Sequence, residues 1–193
     1  MLHPYATDSD ERRQIPLYLA GFAIVSAIAL SWVLQKLHWP GWLDAPATAG
    51  FYGLYYELFR HRLWKAAVFR KWGNVRVPVL AGRWEGYVVT SFDEATGKHP
   101  VTATIVQDWT HMQIRVTSAY SRSHSIVGTI LTSDETVIDY EYKNEPLPGA
   151  VETMHAHRGT SSLVLSSDGK ELSGDYYSGR DRQNFGSLHL EKS

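Results

Sequence analysis

The stretch Pro16–Leu34, PLYLAGFAIVSAIALSWVL, contains no charged side chain. In a helix these 19 residues rise about 28 Å, close to the hydrocarbon thickness of a bilayer. A signal peptide has a shorter apolar region and a basic lead-in, whereas the mixed-sign sequence TDSDERRQ comes first here. Buried helices of soluble proteins are seldom apolar on all sides. The stretch therefore predicts a retained transmembrane helix at 15–36, with a cleaved signal and a buried helix as the alternatives.

A second, weaker apolar run follows a connection rich in turn-forming residues. Pro46 suits the first turn of a helix, and PATAGFYGLYYELF continues from it to Phe59. This run rises only about 21 Å, so a crossing needs the basic side chains beyond it to reach the membrane surface. We predict a transmembrane hairpin with a short extracytoplasmic loop at 37–44 and a second span at 45–66. The alternative is a helix that lies in the interface plane.

Basic residues predict the orientation of this hairpin. Arg12 and Arg13 precede the first span, six Lys or Arg residues occur from Arg60 to Arg76, and only Lys36 lies between the spans. Because basic loops stay inside, we expect a multi-pass protein of the bacterial inner membrane with both termini in the cytoplasm. A cytoplasmic tail would occupy 1–14 and a basic linker 67–81. The absence of cysteine agrees with a reducing compartment.

Small residues recur at spacings of four in both predicted spans. They are Ala23, Ala27 and Ser31 in the first span and Ala49 and Gly53 in the second. Such stripes let helices approach closely in lipid, although small residues are also common in spans generally. The spacing favours self-association of the chain.

Residues 82–193 change to a period of two, which predicts a cytosolic β domain. In MQIRV, for example, Met112, Ile114 and Val116 share one face. Short strands separated by turn signals, with no helical pattern between them, indicate a small antiparallel barrel or sandwich. We predict a compact eight-stranded antiparallel barrel of lipocalin-like form, whose interior is just large enough for one small ligand. The predicted strands are 84–92, 101–107, 112–120, 125–132, 136–143, 151–157 (or on to 165), 170–177 and 185–192.

The β domain is a poor candidate for an enzyme or for a binder of long nucleic acid. From Arg83 onward the sequence contains ten Lys or Arg residues and fifteen Asp or Glu residues. Proteins that bind long nucleic acid usually present a basic surface. No G-x-S-x-G, P-loop, H-E-x-x-H or Rossmann pattern occurs. His155 and His157 lie two apart, on one face of a strand, but spacing reveals no third ligand, so we predict no metal.

Several motifs in a fixed order resemble a known family. They are Gly82-x-Trp84-x-Gly86, Gln107-x-Trp109, Tyr140-x-Tyr142-x-Asn144-x-Pro146, His157-x-Gly159-Thr160 and Leu172-x-Gly174-x-Tyr176. With the two spans they resemble the bacterial CD-NTase-associated effectors of the two-transmembrane β-barrel type, the CD-NTase-associated protein 15 family of cyclic-oligonucleotide (CBASS) anti-phage defence. The resemblance covers nearly the whole chain.

The resemblance implies a function without an enzymatic step or a cofactor. A phage-activated nucleotidyltransferase, the CD-NTase, makes a cyclic dinucleotide, and the cytosolic barrel binds it. Binding drives oligomerisation through the spans, disruption of the inner membrane and death of the infected cell. The resemblance does not specify the bases of the ligand, the size of the oligomer, or whether the membrane lesion is a pore or a general disruption.

Candidate ligand contacts follow from motif position and residue chemistry. Tyr and Trp rings suit base stacking but equally suit barrel packing, an amide reads a base edge or caps a turn, and an arginine binds phosphate or stays solvated. The candidates are Gln107, Trp109, Tyr140, Tyr142, Asn144, His157, Thr160, Tyr176 and Arg180. Two other functions remain open: a membrane-anchored, lipocalin-like carrier of a small apolar ligand, and a metal-dependent enzyme that uses His155 and His157.

Overall fold

The computed structural model describes residues 2–38, 47–72, 75–150, 155–180 and 183–193. The chain forms two compact units. One contains Met1–Asp8 and Val77–Ser193, and the other contains Ser9–Arg76. We call them the barrel unit and the helical unit.

Within the described residues, the barrel unit is a closed barrel of nine strands. The strands are β1 (His3–Thr7), β2 (Gly82–Thr90), β3 (His99–Gln107), β4 (His111–Thr117), β5 (Ser121–Leu131), β6 (Thr136–Pro146), β7 (His157–Leu165), β8 (Glu171–Ser178) and β9 (Phe185–Lys192). Their order around the wall is β1-β4-β3-β2-β9-β8-β7-β6-β5, and β4 also pairs with β5. Of these described pairings, that of β1 with β5 is parallel and the others are antiparallel.

Alternation along each strand fills the interior. On β6, Ile138, Tyr140, Tyr142 and Asn144 are buried while the residues between them are more exposed. Because successive side chains of a strand point to opposite faces, these four line the inside. The largest fully buried side chains of the barrel unit include Trp84, Trp109 and Met112.

The prediction of eight strands is wrong by one, because a ninth strand, β1, lies within the expected tail at 1–14. HPYAT contains a proline and only two buried positions, too few for an alternating pattern to show. β4 and β5 pair over only three residues each, from Arg115 to Thr117 and from Arg122 to His124. β1 satisfies backbone groups that these strands would otherwise leave unpaired further along.

All eight strands expected between 82 and 193 form, with ends shifted by a few residues. The largest shift concerns the strand expected to begin at 151, since β7 begins at His157 and runs to Leu165. Residues 151–154 lie outside the described residues, so the first part of that prediction is untested.

The helical unit contains α1 (Glu11–Lys36), α2 (Ala47–His61), a 3₁₀ turn (Leu63–Lys65) and α3 (Ala67–Trp72). α1 begins four residues before the predicted start at 15. α2 stops before the predicted end at 66, because Arg62 leaves helical geometry at φ −130° and Ala66 is extended. The segment expected as a linker at 67–81 contains α3. Residues 39–46, which hold most of the expected loop and the start of the second span, lie outside the described residues.

α1 is long and apolar enough to cross a bilayer, and among the described helices it alone meets both conditions. Its 26 residues rise about 39 Å. Leu17, Phe22 and Ile28 are 66 %, 65 % and 64 % exposed. A core helix of a soluble protein would cover such side chains, whereas a helix in lipid leaves them on its surface.

α1 and α2 pack against each other along part of their length. Ser26 on α1 and Tyr55 on α2 share a hydrogen bond of 2.8 Å between their hydroxyl oxygens. Ala23, one turn before Ser26, is fully buried, and Ala27 and Ser31 are half-buried. The small residues of α1 are therefore already buried or half-buried by packing within one chain.

Candidate ligand-binding interior of the barrel

The two ends of the barrel bury different side chains. At the end where β3 stops and β4 begins, which we call the apolar end after its large residues, Leu80, Trp84 and Trp109 are almost completely buried. The polar Gln107 and Asp108 are buried there too, with hydrogen bonds to neighbouring backbone groups. At the polar end, where β6 ends and β7 begins, the buried side chains include Asn144 and His157. These two bring hydrogen-bonding groups into the interior, so we consider the polar end for a polar ligand.

Six inward-facing residues of β6, β7 and β8 form the inner polar cluster. They are Tyr140, Tyr142, Asn144, His157, Ser161 and Tyr176. Asn144 lies directly opposite His157, and Tyr140 lies opposite Ser161, which in turn lies opposite Tyr176. Five of the six are less than 10 % exposed, and Tyr176 is half-buried. Antiparallel pairing thus brings together side chains from three separate segments of sequence.

The tyrosines of the cluster combine ring faces with fixed hydroxyl groups. The rings of Tyr140 and Tyr142 lie 6.3 Å apart between centroids and are tilted by 54°. Burial raises the pKa of Tyr140 to about 12, against a smaller opposing effect of its hydrogen bond with Ser161. The Tyr140 phenol is therefore neutral at physiological pH. The Tyr142 hydroxyl donates to the Tyr177 carbonyl at 3.5 Å.

His157 is held in one orientation by the chain that precedes it. Its Nδ1 lies 2.9 Å from the backbone carbonyl oxygen of His155. Because a carbonyl only accepts, Nδ1 carries the hydrogen and Nε2 of the neutral ring is an acceptor. Asn144 on the neighbouring strand adds an amide donor and an amide acceptor to the same row.

Two glycines lie against aromatic residues of the cluster. A Cβ on Gly159 would overlap the Tyr142 hydroxyl and the Tyr177 carbonyl oxygen, and a Cβ on Gly186 would overlap the Val89 carbonyl oxygen and lie 2.9 Å from a ring carbon of Tyr176. These distances are shorter than van der Waals contact. Both positions therefore need glycine for the strands to pair as closely as they do and for the rings to keep their places.

The structure brings five of the nine candidate ligand residues into the inner polar cluster: Tyr140, Tyr142, Asn144, His157 and Tyr176. Arg180 is exposed in the connection between β8 and β9, which lies at the polar end. Thr160 is exposed on the outside of β7. It lies three positions after His157, and an odd spacing on a strand puts two side chains on opposite faces.

Gln107 and Trp109 lie at the apolar end, away from the cluster. The Gln107 side chain accepts a hydrogen bond from the Leu80 N–H at 2.8 Å and donates to the Pro78 carbonyl at 3.0 Å. It thereby fixes the segment that leads into β2. Trp109 is 1 % exposed. Both residues have structural contacts that explain them without a ligand.

The sequence analysis overlooks Ser161. It lies four residues after His157 on the same strand, so the period of two places both on the same face.

The structure does not bring the rings of His155 and His157 together as a metal-binding pair. His155 precedes β7 and contacts His157 through its backbone carbonyl and not through its ring. Across the described parts of the chain, no three His, Cys, Asp or Glu side chains are grouped so as to hold a metal ion.

Two family models match the chain, and together they cover most of it. The model described as Cap15, cyclic dinucleotide receptor domain, matches residues 75–192, and that described as Cap15, TM helices, matches residues 13–65. The chain belongs to the Cap15 family. No curated protein matches the chain. The Cap15 receptor domain contains β2 to β9 and so the whole inner polar cluster, whereas β1 precedes both Cap15 matches.

Membership of the Cap15 family confirms the resemblance seen in the sequence. The chain is a membrane-associated effector of CBASS defence that carries a cyclic dinucleotide receptor domain and transmembrane helices. The exposed apolar surface of α1 agrees with the Cap15 helix match.

Proposed function

We propose that the inner polar cluster binds a cyclic dinucleotide and that binding drives oligomerisation through the membrane helices, disruption of the inner membrane and cell death. The observation that carries this proposal is the burial of Asn144 and His157 opposite each other at the end of a receptor-domain barrel. An amide and an imidazole read base edges, and Tyr142 and Tyr176 supply ring faces for stacking. We propose Arg180, exposed in the connection at the same end, as a phosphate contact.

A filled interior favours this function over the carrier of an apolar molecule. A lipocalin-like carrier needs an open apolar cavity. Here Trp84, Trp109 and Met112 occupy the apolar end and are fully buried. The inner polar cluster lies toward the opposite end, which supports a polar ligand there.

We infer a hairpin in the inner membrane with both termini in the cytoplasm. β1 and β2 both belong to the barrel unit, so the chain leaves that unit before α1 and returns to it after α3. A chain that crosses once must then cross back. α2 rises only about 22 Å, and the basic residues from Arg60 to Arg76 extend its reach to the inner surface.

Oligomerisation is proposed to use the small residues of α2 more than those of α1. Ala23 of α1 is already buried within the chain, whereas Ala49 and Gly53 of α2 are exposed. A Cβ on Gly53 would meet no atom within 4 Å. Close approach of a second copy is therefore possible along this surface.

The test uses the full chain in anionic liposomes that contain a self-quenched dye. Cyclic di-AMP, cyclic di-GMP, cyclic GMP–AMP and cyclic UMP–AMP are added singly, with binding measured by calorimetry in detergent. We expect at least one of them both to bind and to release dye. Binding of none, or dye release that is independent of them all, contradicts the proposal.

A further inference from the structure

The wall of the barrel is forked between β4 and β5, and β1 lies in the fork. The two strands pair only as far as Arg115 and His124, and a bulge follows between Ser125 and Val127. Beyond it, β1 pairs with the start of β4 on one side and with Gly128–Ile130 of β5 on the other. The first strand of the chain thus completes the barrel at the point where its wall divides.

His3, the first residue of β1, contacts Ser125 on β5, which lies opposite Tyr142 of the inner polar cluster. His3 Nδ1 donates to the Pro4 carbonyl at 3.0 Å, so Nε2 accepts from the Ser125 hydroxyl at 2.7 Å. Ser125 Oγ also accepts from the Ile114 N–H at 2.9 Å. Ser125 is 2 % exposed and is the direct cross-strand partner of Tyr142. One buried hydroxyl therefore connects β1, β4 and the row that contains Tyr142.

The other end of β1 is fixed just before the membrane helix. The Asp8 carboxylate accepts hydrogen bonds from the backbone N–H and hydroxyl groups of both Thr132 and Ser133, over 2.5–3.1 Å. Only Ser9 and Asp10 separate Asp8 from the start of α1. A position fixed on the barrel is thus joined to α1 by a connection of two residues.

The residues on each side of the second connection also have side-chain hydrogen bonds, each within its own unit. In the barrel unit, Gln107 holds Pro78 and Leu80. In the helical unit, the Glu11 carboxylate accepts from the Arg76 N–H at 2.6 Å and so ties the start of α1 to the end of that unit. Both units are therefore held by side-chain bonds close to the point where the chain passes between them.

We propose that β1 is a tether that transmits ligand binding from the barrel interior to α1, with His3 and Asp8 as positioning residues. The inference rests on the proposed function of the inner polar cluster. A ligand against Tyr142 acts on Ser125 opposite it, Ser125 acts on His3, and β1 carries the effect to Asp8 and α1. The ligand-bound barrel favours docked β1, because a ligand shifts only an equilibrium whose states it binds unequally.

Two variants of the full chain test the direction of this coupling. The double variant His3→Ala/Asp8→Ala removes the side-chain hydrogen bonds at both ends of β1 and is expected to undock it. Hydrogen exchange of the β1 amides measures the undocking, and Leu2→Ala, an exposed neighbour, is the control. Ala6→Cys/Thr129→Cys places two cysteines at paired positions of β1 and β5, in a chain that has no other cysteine. Its oxidised form locks β1 in place, and its reduced form is the matched control.

The readouts separate binding from membrane action. For the undocked variant we expect dinucleotide affinity to fall, because a ligand that favours docked β1 binds the undocked state less tightly. We also expect dye release at saturating dinucleotide to fall about tenfold, because undocked β1 no longer carries the effect to α1. The oxidised lock is expected to bind and to release dye as the reduced form does. Circular dichroism establishes that each variant is folded, and if the undocked variant is not folded, the lock decides.

Two results overturn the tether. One is loss of dye release in the oxidised lock with binding retained, which means that β1 must leave the fork. The other is wild-type dye release from a folded, undocked variant. In both cases the wild-type chain still responds, so the proposed function stands. Silence of the wild-type chain toward the whole dinucleotide panel overturns both the proposed function and the tether.

Discussion

Asn144 on β6 lies directly opposite His157 on β7, and both side chains are buried at the polar end of the barrel. The sequence separates them by 13 positions, and the antiparallel register brings them into one row. Buried polar groups in one row are costly unless they are hydrogen-bonded. We therefore propose this row as a contact surface for the dinucleotide.

Replacing Asn144 by Ala is expected to weaken dinucleotide binding about 5- to 150-fold, since an unmade buried hydrogen bond costs about 1–3 kcal/mol. Calorimetry on the full chain measures the dissociation constant. Thr160→Ala is the control, because Thr160 lies on the outer face of β7. Equal affinities of Asn144→Ala and wild type would place the ligand elsewhere.

Gln107→Ala is expected to lower the free energy of unfolding by about 2 kcal/mol, because the Leu80 N–H and the Pro78 carbonyl lose their partner. Dinucleotide affinity should stay unchanged. Urea titration of tryptophan fluorescence measures the stability, and Thr104→Ala, exposed on the same strand, is the control. Loss of affinity without loss of stability would restore Gln107 as a ligand contact.

The hydrogen bonds of the Asp8 carboxylate are expected to make the barrel less stable in acid. Hydrogen bonds, the strongest from the Ser133 hydroxyl, lower the pKa of Asp8 from 3.8 to about 2. A lowered pKa in the folded state stabilises the fold above pH 3.8, and this stabilisation is lost as the pH falls toward 2. Asp8→Asn should therefore melt below wild type at pH 7, and the difference should shrink at pH 3.

Asp10→Asn is the matched control for Asp8, since it removes the same charge two residues away and the Asp10 side chain caps no helix N–H. Melting curves followed by circular dichroism give both comparisons. A constant difference between Asp8→Asn and wild type from pH 7 to pH 3 would contradict the role of the ionised carboxylate.

Gly53→Leu is expected to reduce dinucleotide-induced oligomers on chemical cross-linking and to leave dinucleotide affinity unchanged. The added side chain projects from an exposed position of α2 and blocks close helix approach. Ala29→Leu adds similar bulk at an exposed position of α1 and is the control. Undiminished cross-linking of Gly53→Leu would move the contact to another surface.

Local patterns predicted the main elements of the fold because they extend over enough residues to be seen. The uncharged stretch Pro16–Leu34 predicted α1, and the alternation in MQIRV predicted β4. The candidate site was only partly predictable. Tyr140, Tyr142 and Asn144 follow one another at a spacing of two, so their common face was visible in the sequence. Nothing in the local pattern revealed that Gln107 would hydrogen-bond to the Leu80 backbone or that Trp109 would be buried at the other end of the barrel.

The apolar helix and the alternating strands can be read from the amino-acid sequence, since each depends on side-chain chemistry repeated along neighbouring residues, and the order of the motifs indicates the family. That His3–Thr7 is a strand and that Asn144 and His157 share a row becomes visible in the folded chain. These two features depend on partners that are distant in sequence. β1 exists because β4 and β5 separate, and the row exists because β6 and β7 pair in one register.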